Sequence, residues 1–409
     1  MTAFSSLPAD IVLPSVLALV LLLVQLPAVL ILLSRLVLGP LRQLPLEPRR
    51  STPDQIGKVS VVVPTLNEAE RITPCLTGLT RQGYEVREII VVDSRSQDGT
   101  VDLVKAAQRT DPRFRVMTDD PLPADWVGRP WALHNGFLYS SEHSEWILGI
   151  DADTQPQPGL VSSLISTAEA QGYDLLSASP QFILQYPGEF WLQPALLITL
   201  VYRFGAAGST LTGSERILAN GQCFLIRRSL LTDLGGYTSA RRSFCDDVTL
   251  ARYAAQHGAK VGFLDGSKVL KVRMYEGAVE TWREWGRSLD LKDASSPGQK
   301  WGDLWFLLMV QGIPLIATLL LTSFVLQGYT SVPILTAVGI NGLLVFIRIA
   351  LLWGIAPTYA RPTKAFWAFW FSPLADPLAV LRIFLSSVHT PTRWRGRVYG
   401  ESHGKQSTE

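Results

Sequence analysis

The chain has 409 residues, of which 47% are hydrophobic and 18% charged, and its mean hydropathy is +0.19. This composition is too apolar for a chain that is soluble throughout, so part of it is predicted to lie in lipid. The 37 basic and 35 acidic residues leave a net charge of +2, which argues against a nucleic-acid-binding protein. The three cysteines, Cys75, Cys223 and Cys245, are too few for a disulfide framework and form no CxxC pair, which is typical of a reducing compartment.

The first predicted element is a membrane-spanning helix, within an anchor over residues 1–40. Residues 11–34 carry no charge, and these 24 residues exceed the roughly 20 that a helix needs to cross a bilayer. A retained anchor is favoured over a cleaved signal peptide, because the basic residues follow the apolar run instead of preceding it. With Arg35 and Arg42 after the span, the positive-inside rule predicts an external N-terminus and a cytoplasmic chain beyond it.

Residues 55–300 are predicted to form an α/β domain with a doubly wound, mostly parallel sheet. Short apolar runs typical of central parallel strands lie at residues 59–63, 88–92 and 145–150. Residues 68–82 and 100–109 supply crossover helices between the strands. Neither GxGxxG nor GxxxxGK[ST] follows the first strand, which excludes a dinucleotide fingerprint and a P-loop.

Acidic residues collect where the predicted strands end. These residues are Glu68, Asp93, Asp151 and Asp153. Ligands bind at the carboxyl edge of an open α/β sheet, and two carboxylates one residue apart can hold a hard cation that bridges phosphates. Taken alone, the DxD triplet is weak evidence and is more typical of a solvated turn. The other acids along the same edge favour a ligand site.

Two further groups of residues are candidates for chemistry. Asp246 and Asp247 precede an amphipathic helix, where one acid suffices as a cap and the other is left to react. Arginines and aromatic residues then alternate before the second apolar region, at Arg273, Trp282, Arg283, Trp285 and Arg287. Arginine presents a planar fork to phosphates and aromatic rings stack on flat groups. A belt at the membrane interface is the alternative interpretation.

An apolar stretch at residues 190–202 interrupts the predicted soluble domain. It is too short for a confident span, so a helix on the membrane surface is favoured, and a buried core helix is the alternative. On the membrane surface this helix would hold an acceptor groove at the bilayer. A lipid hydroxyl would then be the acceptor.

The second membrane region is predicted over residues 304–390, with a basic polar tail at residues 391–409. Residues 304–347 carry no charge and are long enough for two spans, with a turn at residues 327–331. The next apolar stretch, residues 365–388, contains Asp376 and two X-Pro breaks. Because a crossing would leave the basic tail outside, a broken re-entrant or interfacial segment is favoured.

The order of these motifs resembles the inverting family 2 glycosyltransferases with a GT-A fold. The matching segments, over about residues 58–290, are VSVVVPTLNEAE, IIVVDSRSQDGT, GRPWALHNG, GIDADTQP, ANGQCFLIRR, CDDVTLA and WREWGRS. Each segment alone is unspecific, but the ordered set is specific. The resemblance implies a nucleotide-sugar donor and a divalent cation, Mg²⁺ or Mn²⁺.

The resemblance also implies roles for individual residues. Asp247 would be the catalytic general base, which takes the proton from an attacking acceptor hydroxyl. Asp151 and Asp153 would bind the metal. The donor would be bound by Thr65, Glu68, Asp93, Arg129 and Asp151. Contacts to the acceptor or the diphosphate would come from Asp246, Arg273, Trp282, Arg283, Trp285 and Arg287.

The sequence departs from the family pattern at two places. Arg129 stands where a lysine is usual, which keeps the charge, and the QxxRW motif is absent, which argues against a polysaccharide synthase. The chain is similar to bacterial carotenoid and hopanoid-associated glycosyltransferases. We therefore expect transfer of a hexose or deoxyhexose to a carotenoid, of the myxol 2'-hydroxyl type, by a multi-pass protein of a plasma or thylakoid-type membrane with a cytoplasmic catalytic domain.

Other functions stay open at this point. The acceptor could be a hopanoid, sterol, ceramide, diacylglycerol or polyprenyl phosphate, and for the last of these Arg241 and Arg242 would supply positive charge near Asp247. A catalytically silent membrane scaffold is disfavoured, because it would not need so many converging carboxylates. A transporter is disfavoured, because the predicted spans offer no evident charged pathway.

Overall fold

The computed structural model describes residues 9–37, 39–209, 213–285, 289, 291–360, 363–389, 393–394 and 397–398. Its α-helices are α1 Ala9–Val37, α2 Ile72–Thr80, α3 Thr100–Thr110, α4 Gly128–Leu138, α5 Leu160–Gln171, α6 Pro187–Phe204, α7 Arg228–Asp233, α8 Asp246–Gln256, α9 Gly277–Glu280, α10 Pro297–Leu307, α11 Pro314–Leu326, α12 Val332–Ile355 and α13 Asp376–Val388.

The strands are β1 Val59–Thr65, β2 Val86–Asp93, β3 Phe114–Thr118, β4 Trp146–Ile150, β5 Thr154–Pro156, β6 Leu175–Ser179, β7 Gln181–Phe182, β8 Cys223–Arg227, β9 Val261–Asp265, β10 Leu270–Val272, β11 Arg393–Trp394 and β12 Arg397–Val398. Seven of them form one sheet in the order β3-β2-β1-β4-β8-β6-β9. Within it β8 alone runs antiparallel to its two neighbours, β4 and β6. The predicted mostly parallel sheet is confirmed.

Alternate residues of the central strands are buried on opposite faces of the sheet. Val61 and Val63 pack into one hydrophobic core, and Val62 packs into the other. A strand covered by helices on both faces must be apolar at every position, which is why these strands appear as continuous apolar runs. The predicted crossover helices are α2 and α3. The edge strand β3 was not predicted, because polar residues such as Arg115 interrupt its apolar pattern.

Helix α6 is buried within the protein. Twelve of its 18 residues are buried, and six of them pack in one core with the C-terminal apolar helices. The prediction of a membrane-surface helix is therefore wrong, and the buried alternative is confirmed. A pattern in one segment shows that a face is apolar, but it does not show that a helix nearly 200 residues later covers that face.

Among the described residues, three helices are long and apolar enough to cross a membrane. They are Leu13–Val37, Val332–Thr358 and Phe366–Val388, with hydropathies of 3.0, 2.1 and 1.4. A fourth candidate is the pair Pro297–Gly312 and Pro314–Leu326, which is bent by 48°. The predicted turn at residues 327–331 separates α11 from α12, as expected.

The last candidate span corrects the predicted broken segment. Phe366–Val388 is an uninterrupted run of helix, a 3-10 helix to Ala375 and α13 from Asp376. Pro373 lies inside the 3-10 helix and Pro377 in the first turn of α13, so the change of helix type falls between the two predicted breaks. Asp376 is buried but forms an ion pair with Arg348 of α12, 2.8 Å from Nε to Oδ2. Sequence spacing did not reveal that partner.

Helices α1 and α12 are held together by polar contacts. The Ser15 and Ser331 hydroxyls lie 2.6 Å apart, and Gln25 Nε2 donates to Asn341 Oδ1 at 2.9 Å. Both pairs are separated by 316 positions in the chain, so the two helices run in the same direction without a shift. Of the predicted basic tail, only residues 393–394 and 397–398 lie within the described residues.

Candidate active site

A cavity of about 1440 Å³ opens at the carboxyl edge of the sheet. Its polar wall includes Glu68, Arg71, Asp98, Arg129, Asp151, Asp153, Asp246 and Asp247. Its apolar wall includes Leu32 and Leu36 of α1, Leu197, Leu200 and Val201 of α6, and Leu351 and Ile355 of α12. One cavity therefore joins the acidic edge of the sheet to the domain-side ends of the candidate membrane helices.

Arg129 holds two of the acids in place from the first turn of α4. Its Nε and Nη2 atoms donate to Asp151 Oδ1 at 3.0 and 2.9 Å, and its Nη1 donates to Asp246 Oδ2. Nη2 also donates to the Gly221 carbonyl at 2.7 Å. A Cβ atom at Gly221 would lie 2.5 Å from Nη2, so the Asn-Gly-Gln segment needs glycine there for the arginine to fit.

Asp153 is the acid with an unused oxygen. Its Oδ1 atom is buried and has no hydrogen-bond partner. Burial and, next, the nearby charge of Asp151 raise the pKa of Asp153 to about 7. A buried carboxylate without a donor is stabilised by a cation. The predicted pair of Asp151 and Asp153 therefore fits a divalent metal ion.

The metal site is not a complete protein cage. Within the described residues, no group of three or more His, Cys, Asp or Glu side chains is arranged to hold an ion. Mg²⁺ commonly binds through one or two carboxylates together with substrate phosphates and water. Two carboxylates are therefore enough for a metal site in which the diphosphate of a ligand supplies further oxygen atoms.

Asp247 is arranged differently from its neighbour Asp246. Its Oδ2 accepts a hydrogen bond from the Gly221 amide at 2.6 Å, and its Oδ1 accepts one from the Val248 amide at 2.8 Å. Burial and the charge of Asp246 raise the pKa of Asp247 to about 6. Asp246 is neutralised by Arg129, whereas Asp247 is oriented by backbone groups only. A carboxylate with this pKa is ionised near neutral pH and is basic enough to accept a proton.

The predicted donor-binding residues separate into two groups. Glu68 lines the cavity, and its amide donates to Thr100 Oγ1 at 2.9 Å. Asp93 and Thr65 do not line the cavity; the Thr65 hydroxyl donates to Asp93 Oδ1 at 3.2 Å. Register explains the contact, because Thr65 and Asp93 are paired at the ends of β1 and β2.

Arg71 and Asp98 are charged cavity residues that were not predicted from the sequence. Asp98 accepts hydrogen bonds from the amides of Ala69 and Thr100, at 2.9 and 3.1 Å. Asp98 precedes Gly99, which has a φ of +92°. An Asp-Gly pair is a turn signal in the sequence and could have identified Asp98 as a candidate. Arg71 donates to the Met274 carbonyl and to Glu280 across more than 200 residues, and no local pattern shows such a contact.

The arginine and tryptophan group is only partly at the cavity. Arg283 and Trp285 line it. Arg273 instead forms an ion pair with Glu189, at 2.9 Å, and the Trp282 carbonyl accepts a hydrogen bond from Arg382 at 2.7 Å.

The structure therefore does not bring Arg273 or Trp282 to the predicted ligand contacts. The physical reason for Arg273 is that Glu189 is fully buried and needs a cationic partner. Arg287 lies outside the described residues.

Comparison with known proteins agrees with this architecture. Residues 60–235 match the family described as Glycosyl transferase family 2. The chain therefore carries a domain of this family. A mannosyltransferase from Pyrobaculum calidifontis, solved with GDP-mannose and Mn²⁺, has a similar fold, with a TM-score of 0.54 at 18% identity over 91% of this chain and 98% of that one. The soluble domain has the GT-A fold, as predicted.

Two curated relatives are similar in sequence. The 4,4'-diaponeurosporenoate glycosyltransferase of Staphylococcus haemolyticus is 25% identical over 240 residues, which are 58% of this chain and 62% of the relative. The undecaprenyl-phosphate 4-deoxy-4-formamido-L-arabinose transferase of Photorhabdus laumondii is 32% identical over 130 residues, 30% of this chain and 37% of the relative. The matches thus span less than two thirds of either relative.

Proposed function

We propose that this protein transfers a hexose or deoxyhexose from a nucleotide sugar to a hydroxyl of a membrane-embedded acceptor, with a carotenoid as the favoured acceptor. One observation carries the proposal: a single cavity is lined both by Asp151, Asp153 and Asp247 and by apolar residues of α1 and α12. A polar donor and an apolar acceptor can therefore meet in one space. The family 2 domain supports the same reaction class.

On the donor side, Asp151 and Asp153 would hold Mg²⁺ or Mn²⁺ through their carboxylate oxygens. When bound, the metal ion neutralises the negative charge that develops on the leaving diphosphate. Arg129 keeps Asp151 in position and lowers the repulsion between Asp151 and Asp246. Glu68 and Arg283, which line the same cavity, are available to the nucleotide.

On the acceptor side, Asp247 would take the proton of the attacking hydroxyl. The hydroxyl oxygen forms a bond to C1 of the sugar while the bond from C1 to the diphosphate oxygen breaks, and the proton passes to Asp247. If base and leaving diphosphate lie on opposite faces of the sugar, the configuration at C1 is inverted. The backbone amides of Gly221 and Val248 orient the Asp247 carboxylate before the acceptor binds.

The carotenoid is favoured by the apolar wall and by one relative. The Staphylococcus relative is named for a carotenoid-type acid. Arg241, which we considered as a phosphate contact, pairs with Asp125 at 3.4 Å, and neither it nor Arg242 lines the cavity.

A polyprenyl phosphate is the second candidate acceptor. Arg35 and Arg42 line the cavity close to its apolar wall, and either guanidinium suits a phosphate. The relative from Photorhabdus is named for undecaprenyl phosphate.

The test is a comparison of pigments and lipids, by mass spectrometry, in the native host with and without the gene. Loss of a glycosylated carotenoid, with its free hydroxyl form accumulating, supports the favoured acceptor. Loss of a glycosylated polyprenyl phosphate or another glycolipid instead supports a different lipid acceptor. No change in either profile contradicts sugar transfer and favours a silent scaffold.

We also propose that the family 2 domain faces the cytoplasm, on the same side as Arg35 and Arg42. The charge asymmetry around α1 supports this orientation. A reporter inserted in the turn at residues 327–331 should then be external, and a cytoplasmic reporter at this turn would contradict the proposed orientation.

A further inference from the structure

The two candidate membrane helices that reach the cavity, α1 and α12, are tied together only partway along their length by the polar pairs described above. The lower of these pairs is Gln25 with Asn341. With the same separation of 316 positions, Arg35 is level with Leu351, ten residues closer to the family 2 domain. At that level both helices line the cavity, through Leu32, Arg35 and Leu36 of α1 and Leu351, Gly354 and Ile355 of α12.

Gly354 lies on the cavity wall and is an exposed position of α12. The cavity therefore extends to a helix that is long and apolar enough to cross a membrane. The cavity residues beside Gly354 are mainly aliphatic, and a hydrocarbon chain is the ligand that such walls accommodate without unpaired polar groups.

We propose that the gap between the domain-side ends of α1 and α12 is a lateral opening through which the hydrocarbon chain of a membrane lipid acceptor enters the cavity, and that Gly354 keeps this opening wide. That the entering lipid is an acceptor of sugar transfer rests on the proposed function. It adds the path that the acceptor takes and the helices that form it. A chain in this opening would extend from the bilayer past α6 toward Asp247.

Close packing does not explain the glycine at position 354. A Cβ atom there would meet no atom within 4 Å, and Gly354 has no positive φ. Glycine within a helix is destabilising relative to alanine. The missing side chain leaves open space beside α12, and at position 354 this space borders the cavity.

The tail contacts of such a lipid would lie on α6. Leu197, Leu200 and Val201 line the cavity but belong to a helix that the C-terminal helices cover. A lipid in the surrounding bilayer does not reach them. Labelling of this part of α6 by a lipid reagent therefore reports a chain inside the cavity and not one that lies along the outside of α1 or α12.

The experiment uses the full-length protein in phosphatidylcholine vesicles that contain hexadecanol with a terminal diazirine. After illumination, we expect labelled peptides from residues 187–204 in the wild type. Gly354→Leu should lower this labelling by about tenfold, the effect of blocking a fitted apolar site. Gly339→Leu is the matched control, since Gly339 is also exposed on α12, has no atom within 4 Å of its Cβ and does not line the cavity.

A second variant tests the opening in protein that has already folded, so a folding defect does not affect the result. Gly354→Cys can be modified with a bulky maleimide after the protein has folded, while the three native cysteines are buried. Modification should abolish α6 labelling that the unmodified variant retains. The same modification at Gly339→Cys should leave labelling unchanged.

Absence of α6 labelling in the wild type, or equal labelling in wild type and both blocked forms of position 354, would overturn the lateral opening. These outcomes do not depend on sugar transfer. If the labelling follows the prediction but the protein transfers no sugar to any lipid, the proposed function fails and the opening stands as a lipid-binding site.

Discussion

Arg348 is buried and Arg129 is half-buried, each beside aspartates, and their surroundings differ. Arg348 faces one acid, Asp376. Arg348 Nη2 also donates to Ser372 Oγ at 3.1 Å, and Gln311 Nε2 donates to Asp376 Oδ1 at 3.0 Å. The side chains of Arg348 and Asp376 are each only 4% exposed. Around Arg129, by contrast, lie four acids that line an open cavity, namely Asp151, Asp153, Asp246 and Asp247.

The difference is one of charge balance. One cation and one anion compensate each other, so the Arg348 pair needs no ligand and acts to join α12 to α13. The Arg129 cluster has more negative charge than its arginine neutralises, and burial raises the pKa values of Asp153 and Asp247 to about 7 and about 6. A buried excess of carboxylates is unfavourable for stability alone, and it is typical of a site that binds cations and moves protons.

The largest effect is expected from Asp247→Asn. The amide keeps the shape of the carboxylate but cannot take a proton, so the transfer rate should fall by about 10²- to 10⁴-fold. Donor affinity, measured by calorimetry with the nucleotide sugar and Mn²⁺, should stay within about twofold, because the role proposed for Asp247 is on the acceptor. A parallel loss of donor affinity would contradict this division between the two ends of the cavity.

Breaking the balanced pair should affect stability. Asp376→Asn leaves Arg348 buried without its anion and should destabilise the protein by about 3–5 kcal/mol. The double variant Arg348→Met with Asp376→Leu is the control, since it removes both charges and should recover most of that loss. Denaturant unfolding in detergent micelles measures both. A single variant as stable as the wild type would show that the pair is not structural.

Asp153→Asn should weaken metal-dependent donor binding. Even residues that only support metal ligands change affinity by about 10- to 100-fold, and Asp153 would be a direct ligand. The measurement is the affinity for the nucleotide sugar with Mn²⁺ and with EDTA. The wild type should lose affinity in EDTA, and the variant should be weak in both. Equal donor affinity in wild type and variant with Mn²⁺ would remove Asp153 from the metal site.

The smallest effect is expected from pH. Asp247 must be ionised to accept a proton, so activity is present above its pKa of about 6 and is lost as pH falls through this value. The rate at saturating donor and metal should fall about tenfold per pH unit on the acidic side. A profile that is flat between about pH 5 and 7 would contradict the role of Asp247 as the base.

Features that depend on local pattern were predicted from the sequence. Apolar runs predicted β1, β2 and β4, and charge-free stretches predicted most of α1 and the part of α12 before Arg348. The acids at the strand ends were found because strand ends meet at one edge of a parallel sheet. Asp151 and Asp153 do line the cavity there, whereas Asp93 does not line it and accepts a hydrogen bond from Thr65.

Features that depend on distant contacts were not predicted. Three such contacts join segments far apart in the chain. The C-terminal helices pack on α6, Arg348 pairs with Asp376, and Glu189 pairs with Arg273. A spacing rule detects a face or a turn, but it does not show which distant residue compensates a buried charge. The family resemblance supplied roles for Arg273 and Trp282 that the observed contacts do not support.

The most direct test of the account is an assay of the purified protein in detergent, with a mixture of nucleotide sugars, Mn²⁺ and a pigment and lipid extract of the host. Mass spectrometry of the lipid phase is the readout, and Asp247→Asn is run beside the wild type. We predict a hexose or deoxyhexose added to a hydroxylated carotenoid by the wild type and no such product from the variant. No glycosylated lipid from the wild type, or the same product from both proteins, would contradict a transfer site at the acidic end of this cavity.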